Sequence, residues 1–247
     1  MICVLTIVRY RRYMGWAGFL SMALFRIPLH FNKQTSFWKL LGCGKNGTFD
    51  IHPDWRQWGI LTVNGESSMV NGEWAMVNEI KGKHKHFCGS FVHAWWKFFR
   101  CEVYTIILEP IEGHGTWDGK EVFGTLPKQS GYEGMIAILT RATIRLSRLK
   151  NFWKHVDAVA AQMNNADGFI TSAGIGEMPW IKQATFSIWE SKGHMKAFAY
   201  RMKDHAEVVR KTRQEKWYSE DMFVRFKIIA SSGTLHGIDP LKRKMQG

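Results

Sequence analysis

The chain has 247 residues, 45% of them hydrophobic and 22% charged, so it carries enough apolar side chains for a folded core and is not intrinsically disordered. It has 34 Lys and Arg against 21 Asp and Glu, a net charge of +13. That charge favours anionic partners: nucleic acid, anionic lipid, or a cofactor with carboxylate or phosphate groups.

The first predicted elements are a strand over residues 4–10, "VLTIVRY", and a helix over "GWAGFLSMALFRI". A basic patch before an apolar run is typical of a secretory signal peptide. Here, however, a strand-like run precedes the patch, no small-residue cleavage site follows it, and Arg26 ends the apolar run well short of a membrane span. We therefore predict a buried helix and a cytoplasmic protein without a transmembrane helix.

Two segments further along share one pattern, an apolar run, a Gly-x-Gly turn and a second alternating run. They are "SFWKLLGCGKNGTFDIHPDWRQWGILTVN" and "DGFITSAGIGEMPWIKQATFSIWES". The Gly-x-Gly pairs are 132 residues apart, and the same offset relates residues 4–10 to 136–142. The offset predicts two related halves, residues 1–134 and 135–247.

Each half is predicted to run strand, helix, two-strand unit, helix and closing strand, the closing strands being 102–110 and 222–230. This order predicts an α+β fold of two tandem ferredoxin-like repeats that form one compact unit. The halves differ in their insertions. The first carries residues 65–86 and the loop 111–131, and the second carries an extra helix at roughly 205–218.

Several motifs favour ordinary structural roles. "GCGKNG" matches the dinucleotide-binding pattern, but no amphipathic helix follows it, which favours a simple hairpin turn. "HKHFC" would place two histidines and a cysteine on one face of an extended segment, as a zinc site requires. The nearby lysines oppose a cation and favour a solvated basic loop. No nucleic-acid-binding motif occurs, so no nucleic-acid partner is predicted. The four cysteines form neither a CxxC pair nor a CxxCH pattern, which fits reduced thiols and argues against covalently attached haem.

A helix starting near Ser191 is predicted to place four residues on one face: His194, Phe198, Arg201 and His205. A neutral imidazole on such a face can bind iron, and an arginine there can pair with a haem propionate. The alternative is a histidine at a helix end beside a solvent-facing arginine.

Longer stretches carry a family resemblance. The segments "FWKLLGCG", "WDGKEVF", "GIGEMPWIKQATFSIWES" and "AFAYRMKDHAEVVRKTRQEKWYSEDMFVRF", in this order, resemble the spheroidene monooxygenase family. The resemblance implies a dimeric α/β-barrel type of fold and a non-covalent haem b. It also implies the use of dioxygen and reducing equivalents to place a keto group on a linear carotenoid.

The C-terminal region is also similar to haem aldoxime dehydratases, and that similarity implies His205 as the proximal iron ligand. The residues that we expect to bind the cofactor are His205, Arg201, Phe198, Gln183 and Trp217. Because a fold can host unrelated chemistries, a haem-dependent dehydratase or lyase acting on a small N–O compound stays open as the alternative.

The distal side of the haem is predicted to be polar and basic. Strand alternation places Arg141, Thr143 and Arg145 on one face of "LTRATIR", and Gln183 with Thr185 and Ser187 on one face of "QATFSIW". In a haem pocket, Arg141 would hydrogen-bond bound oxygen or polarise a bound N–O group. Alternatively, the arginines neutralise propionates or face solvent. The expected partners are an apolar polyene, an electron-donor protein, an anionic membrane surface and, as a homodimer, a second copy.

Overall fold

The computed structural model describes residues 1–45, 47, 50–65, 85–201, 211–212 and 214–242. The fold is mixed α/β, and the described residues form eight strands: β1 (Ile2–Arg9), β2 (Thr35–Gly44), β3 (Pro53–Asn64), β4 (Glu102–Gly115), β5 (Ile136–Ile144), β6 (Phe169–Met178), β7 (Lys182–Trp189) and β8 (Tyr218–Gly233). The α-helices are α1 (Gly15–Leu24), α2 (Arg26–His30), α3 (Lys85–Cys88), α4 (Ser90–Phe98), α5 (Leu149–Asn164) and α6 (Lys192–Arg201). A 3-10 turn, Leu146–Arg148, precedes α5.

The predicted order of elements is present in each half, and the predicted strands and the helices 15–27 and 148–163 lie close to their expected positions. The structure divides into two compact units, whereas one was expected. Unit 1 contains residues 1–42, 54–109 and 228–247, and unit 2 contains residues 43–53 and 110–227. Each unit draws on both halves of the chain because β4 and β8 each continue from one unit into the other. The tandem-repeat arrangement and the division at residue 134 remain predictions.

Unit 1 contains four strands in the order β4-β1-β3-β2, with β1 antiparallel to both β3 and β4. Strand β1 is almost wholly apolar and buried, as a central strand covered on both faces requires. Its core brings Val4, Val8 and Ile60 of the sheet against Phe25 near α1 and Trp96 of α4.

Unit 2 contains four strands in the order β6-β7-β5-β8, with β5 antiparallel to both β7 and β8. Opposite pairs fix which side chains share a face, since side chains alternate along a strand. Thus Ala142 pairs with Gln183 and Thr140 with Thr185, while Arg141 lies opposite Ala184. This register decides the arrangement of the candidate site.

Helix α1 does not match the prediction of a buried helix. Its buried residues are the small ones, Ala17, Gly18 and Ser21, whereas Trp16 and Phe19 are 59% and 65% exposed. Gly18 is small for a packing reason, because a Cβ there would lie 2.3 Å from the indole nitrogen of Trp58. Apolar composition identified a helix, but which face would be covered depended on its neighbours.

The extra helix predicted at roughly 205–218 falls largely outside the described residues, as does most of the insertion 65–86. Among the described helices, each is too short or too polar to cross a bilayer.

Candidate functional site

One face of the unit 2 sheet carries small and polar residues between two apolar clusters. Cross-strand pairs place Thr140, Ala142, Gln183 and Thr185 on this face, and Gly176 lies opposite Gln183 on the next strand. We call this the candidate face. On the other side of β5, Phe223 of β8 lies opposite Thr140, so the small and polar residues form a patch that large side chains border.

Apolar clusters border the candidate face. The first contains Ile138, Trp189 and Phe198. The ring centroids of Trp189 and Phe198 lie 5.3 Å apart. The second contains Ile144 and Trp217. Helix α5 contributes Met163 to the first cluster and Phe152 and Val156 to the second, so the helix runs along this face. The small residues of the candidate face therefore lie between two groups of aromatic side chains, on the side of the sheet that α5 covers.

The polar groups of the candidate face include one without a hydrogen bond. Thr185 Oγ1 is buried and has no partner among the described residues. Gln183 differs, since its amide Nε2 donates to the Met178 carbonyl at 3.0 Å. Glycine is required at position 176 because a Cβ there would lie 2.8 Å from the Lys182 carbonyl oxygen. A buried hydroxyl without a partner is costly, so this atom is suited to a ligand on the face. In their chemistry, a buried hydroxyl with a free hydrogen bond and flanking aromatic rings, the described residues are compatible with the haem that the sequence predicts.

Arg141 lies on the opposite face of the same sheet. The register places Arg141 beside Ala184 and Met222. The sequence analysis expected Arg141 and Thr143 to share a polar wall with Gln183 and Thr185, and that expectation is wrong. Side-chain alternation gives the two faces of each strand, but only the pairing of the strands decides which faces coincide.

The Arg141 guanidinium is 1% exposed and bound by three carboxylates. Its nitrogens lie 2.7 Å from Glu220, 3.0 Å from Glu177 and 3.3 Å from Asp118. Trp117 adds a ring contact at 5.0 Å from the guanidinium carbon. We call these five residues the arginine cluster.

Glu220 makes the shortest of the three carboxylate contacts with Arg141. Burial alone would raise the pKa of Glu220, but hydrogen bonds from the Gly119 N–H, Arg141 and Thr116 lower it to about 2. Lys182 adds positive charge by contacting Asp118 at 2.6 Å. The Arg141 guanidinium is thus engaged by carboxylates of the protein, and Arg141 acting on a bound ligand remains a prediction.

A second buried ion cluster, the Glu112 cluster, fixes the start of α6. Glu112 accepts hydrogen bonds from Lys192 Nζ at 2.9 Å, from the Ser130 N–H at 2.6 Å and from Arg225 Nη1. Burial would raise the pKa of Glu112, yet these donors lower it to about 2. Lys192 also donates to the Ser130 carbonyl at 2.8 Å, so the first residue of α6 is tied to the loop after β4.

The remaining predicted residues lie in several places. Arg145 follows the end of β5, is exposed, and donates to the Tyr218 carbonyl at 3.2 Å. Thr143 Oγ1 is buried without a partner among the described residues. His194 contacts Ser191 Oγ through Nδ1 at 2.9 Å, at the start of α6. Arg201 ends α6, while its side chain and the whole of His205 lie outside the described residues.

The Glu112 cluster escaped sequence analysis, as did the three acids of the arginine cluster. Glu112 lies beyond residue 110, where the predicted strand ended, but β4 continues to Gly115. The available signal was alternation in "MFVRFKI", which places Arg225 and Lys227 on the face opposite Val224 and Phe226. Their acidic partner is distant in sequence, so a single sequence gives no pairing.

No family model matches the chain, but its whole sequence is similar to those of known proteins. A spheroidene monooxygenase from Rhodobacter capsulatus is 31% identical over 229 residues, which cover 91% of this chain and 88% of that protein. The chain belongs to the spheroidene monooxygenase family. A spheroidene monooxygenase from Cereibacter sphaeroides is 30% identical over 222 residues, and the chain spans only 64% of that relative's length.

Among solved structures, the chain is similar to an aldoxime dehydratase in complex with butyraldoxime. The TM-score is 0.56 at 8% identity, covering 92% of this chain and 79% of that one. At this identity the similarity establishes a shared fold only.

Proposed function

We propose that this member of the spheroidene monooxygenase family is a haem b-dependent monooxygenase that oxidises a linear carotenoid with dioxygen. The observation that carries the proposal is the 31% identity to a spheroidene monooxygenase along 88% of that relative. The candidate face of unit 2 supports the cofactor part, since its small floor and aromatic borders suit a flat macrocycle.

Described residues of unit 2 would hold the haem. Phe198 and Trp217 belong to the two aromatic borders, and Gln183 lies on the floor between them. By the similarity to haem aldoxime dehydratases, His205 would ligate the iron, and Arg201, on the same predicted helix face, would pair with a propionate. When bound, the haem would supply an iron that activates dioxygen.

The protein's own groups would exclude water and place a proton donor. The aromatic borders would exclude water from the small residues between them, which would strengthen each polar interaction made there. Thr185 Oγ1 would donate its free hydrogen bond to a polar ligand on the face. Lys192, tied to Glu112, would fix the start of the helix that leads towards His205.

Conversion of one methylene to a ketone requires two successive oxygenations. Together they consume two O₂, four electrons and four protons, and they yield one C=O and three H₂O. One oxygen atom enters the carotenoid while the others leave as water. The electrons require an external donor, which we expect to be a reduced ferredoxin or a similar protein.

Turnover of the haem-loaded full chain tests the function. The chain is incubated with an acyclic carotenoid in detergent micelles, a reductase with ferredoxin, and isotopically labelled dioxygen. We expect a ketocarotenoid that carries the labelled oxygen. Nitrile formation from an aldoxime under anaerobic conditions, with no carotenoid oxidation, would overturn the proposal in favour of the dehydratase.

The assignment of the iron ligand is tested by the Soret band and axial ligation of His205→Ala. We expect the variant to lose the wild-type spectrum. An unchanged spectrum would exclude His205, and His194 would be the next residue to test.

Thr185→Val tests the role of the candidate face because valine keeps the shape and removes the hydroxyl. We expect haem binding to persist and turnover to fall about tenfold or more, the cost of one lost hydrogen bond near the reacting group. Thr62→Val is the matched control, since Thr62 Oγ1 of unit 1 is also buried without a partner among the described residues. Equal turnover in both variants would remove Thr185 from the mechanism.

A further inference from the structure

We propose that the helical surface of unit 1 formed by α1, α2 and α4 docks on an anionic lipid bilayer. The proposal rests on the exposed side chains and charges of these helices. It does not depend on which reaction the protein catalyses.

Helix α1 has its large apolar residues on the solvent side. Trp16, Phe19 and Leu20 are exposed, while the covered positions hold Ala17 and Gly18. A surface helix of a globular protein ordinarily shows the reverse arrangement, with its polar residues facing solvent. A helix inserts at the boundary between lipid headgroups and acyl chains through exposed apolar and aromatic side chains. Helix α1 presents such side chains, and its other face is packed on the sheet.

Neighbouring helices extend the same exposed surface. Trp16 makes an edge contact with Phe99 at 5.8 Å, and Phe99 contacts Phe98, which is 78% exposed. Ring contacts also link Phe25 to Phe91, at the other end of α4. The apolar side chains that are exposed on this surface are Tyr13, Trp16, Phe19, Leu20, Ile27, Phe31, Phe91 and Phe98. A set of this size on one unit is more than scattered surface residues provide.

The charge of the surface has one sign. Residues 1–49 and 85–101 contain no acidic residue. Basic residues lie at the ends of the helices, where they can reach lipid headgroups while the aromatic rings insert: Arg11, Arg12, Arg26, Lys33, Lys97 and Arg100. Each basic side chain near an anionic membrane strengthens binding about fivefold.

A second copy of the chain fits this surface less well than a bilayer. A twofold dimer places the same patch on both sides of the interface, so it would bring six basic residues against six more with no acid between them. An anionic bilayer neutralises those charges and accepts the aromatic rings.

Flotation of the purified full chain with lipid vesicles tests the proposal. The vesicles contain phosphatidylcholine alone or phosphatidylcholine with phosphatidylglycerol, at low and high salt. We expect binding to the anionic vesicles that weakens at high salt, because screening reduces the attraction between surface charges. Failure of the wild type to bind anionic vesicles at low salt would overturn the proposal.

Variants locate the contact. Trp16→Glu combined with Phe19→Glu should lower the vesicle partition coefficient more than tenfold, since two aromatic rings no longer insert. Arg12→Gln should lower it about fivefold and provides a variant with an unaltered helix face. Leu146→Glu, an equally exposed site in unit 2, is the control and should bind like the wild type.

The alternative occupant is tested in parallel by light scattering. If the double variant converts a dimer to a monomer and keeps wild-type flotation, the surface is a self-association face and the bilayer proposal is wrong. Circular dichroism of each variant verifies folding. Equal vesicle binding by the double variant and the Leu146→Glu control would also reject the proposal.

Discussion

The two units differ in where they keep their charges. Buried charged residues among the described part of the chain are Glu112, Arg141 and Lys192, and all three belong to unit 2. In unit 1 the described buried polar residues are uncharged, for example Thr6 and Gln57. Burying a charge costs free energy unless the charge is paired. Unit 2 therefore contains buried charges that a sheet covered by helices does not itself require.

A pair of matching turns makes the comparison sharper. In unit 2, Glu220 accepts hydrogen bonds from Thr116 Oγ1 and the Gly119 N–H, both at 2.8 Å. In unit 1, Glu102 accepts from Thr234 Oγ1 at 2.8 Å and the Gly237 N–H at 2.5 Å. The same backbone turn is therefore held by one glutamate in each unit.

The two units differ in the strand that lies next to each turn. Arg141 lies two residues along β5 from Thr143, the partner of Glu220. Counted from the turn in the same way, the position two residues along β1 from Arg9, the partner of Glu102, is Ile7. Since the turn of unit 1 forms without a buried arginine, the arginine cluster is not needed to make the turn. It stabilises the polar end of the unit 2 sheet, the same sheet whose other face is the candidate face.

Arg141→Met should have the largest effect. Methionine leaves three carboxylates without their guanidinium, so we expect the free energy of unfolding to fall by about 3–5 kcal/mol. Arg9→Met is the matched control in unit 1, because Arg9 pairs with Asp54 at 3.0 Å but is partly exposed, and about 1 kcal/mol is expected. Urea unfolding followed by circular dichroism measures both. Equal losses would show that the arginine cluster is no more important than the partly exposed Arg9–Asp54 pair.

Glu112→Gln should cost about 3 kcal/mol, because Lys192 and Arg225 lose the charge that compensates them in the interior. Glu121→Gln is the control, since Glu121 accepts one exposed hydrogen bond from Thr125 at 3.3 Å. Thermal unfolding of both variants measures the difference. An unchanged midpoint in Glu112→Gln would mean that solvent compensates the Lys192 and Arg225 charges.

The pH dependence of stability should come chiefly from unit 2. The pKa values of Glu112 and Glu220 fall from an ordinary 4.5 to about 2 on folding. Their stabilisation is therefore complete above about pH 4.5 and is lost as the pH falls towards 2, by about 3 kcal/mol for each carboxylate. Chemical denaturation at several pH values measures it. Glu220→Gln should flatten this slope, and a slope like that of the wild type would contradict the assignment.

The smallest effect, and an equal one in the two units, is expected at the turn glycines. Gly119 and Gly237 have φ angles of +74° and +78°, and a Cβ at either would meet no atom within 4 Å. Alanine at either position should cost about 1 kcal/mol, the backbone penalty alone. Urea midpoints of Gly119→Ala and Gly237→Ala provide the measurement. A much larger loss in unit 2 would show that the arginine cluster makes its turn more rigid.

Local patterns predicted most of the elements of this protein. The strand runs, the Gly-x-Gly turns and the helix at 148–163 follow from periodicity over a few residues, which a single sequence displays directly. Ordered motifs also gave the family, because they run along most of the chain. Gln183 and Thr185 were placed correctly on one strand face for the same local reason.

Tertiary pairing decided the rest. Whether Arg141 shares a face with Gln183 depends on the register between β5 and β7, and a shift of one residue would reverse the outcome. The partners of Arg141 come from positions as far apart in sequence as Asp118 and Glu220, so no local pattern joins them. The same holds for Glu112, whose partners include Lys192 and Arg225. Likewise, the apolar composition of α1 determined that a helix forms, but only packing of Gly18 against Trp58 turned its large side chains to the outside. Composition and periodicity are local properties, whereas burial and charge pairing are set by contacts between distant segments.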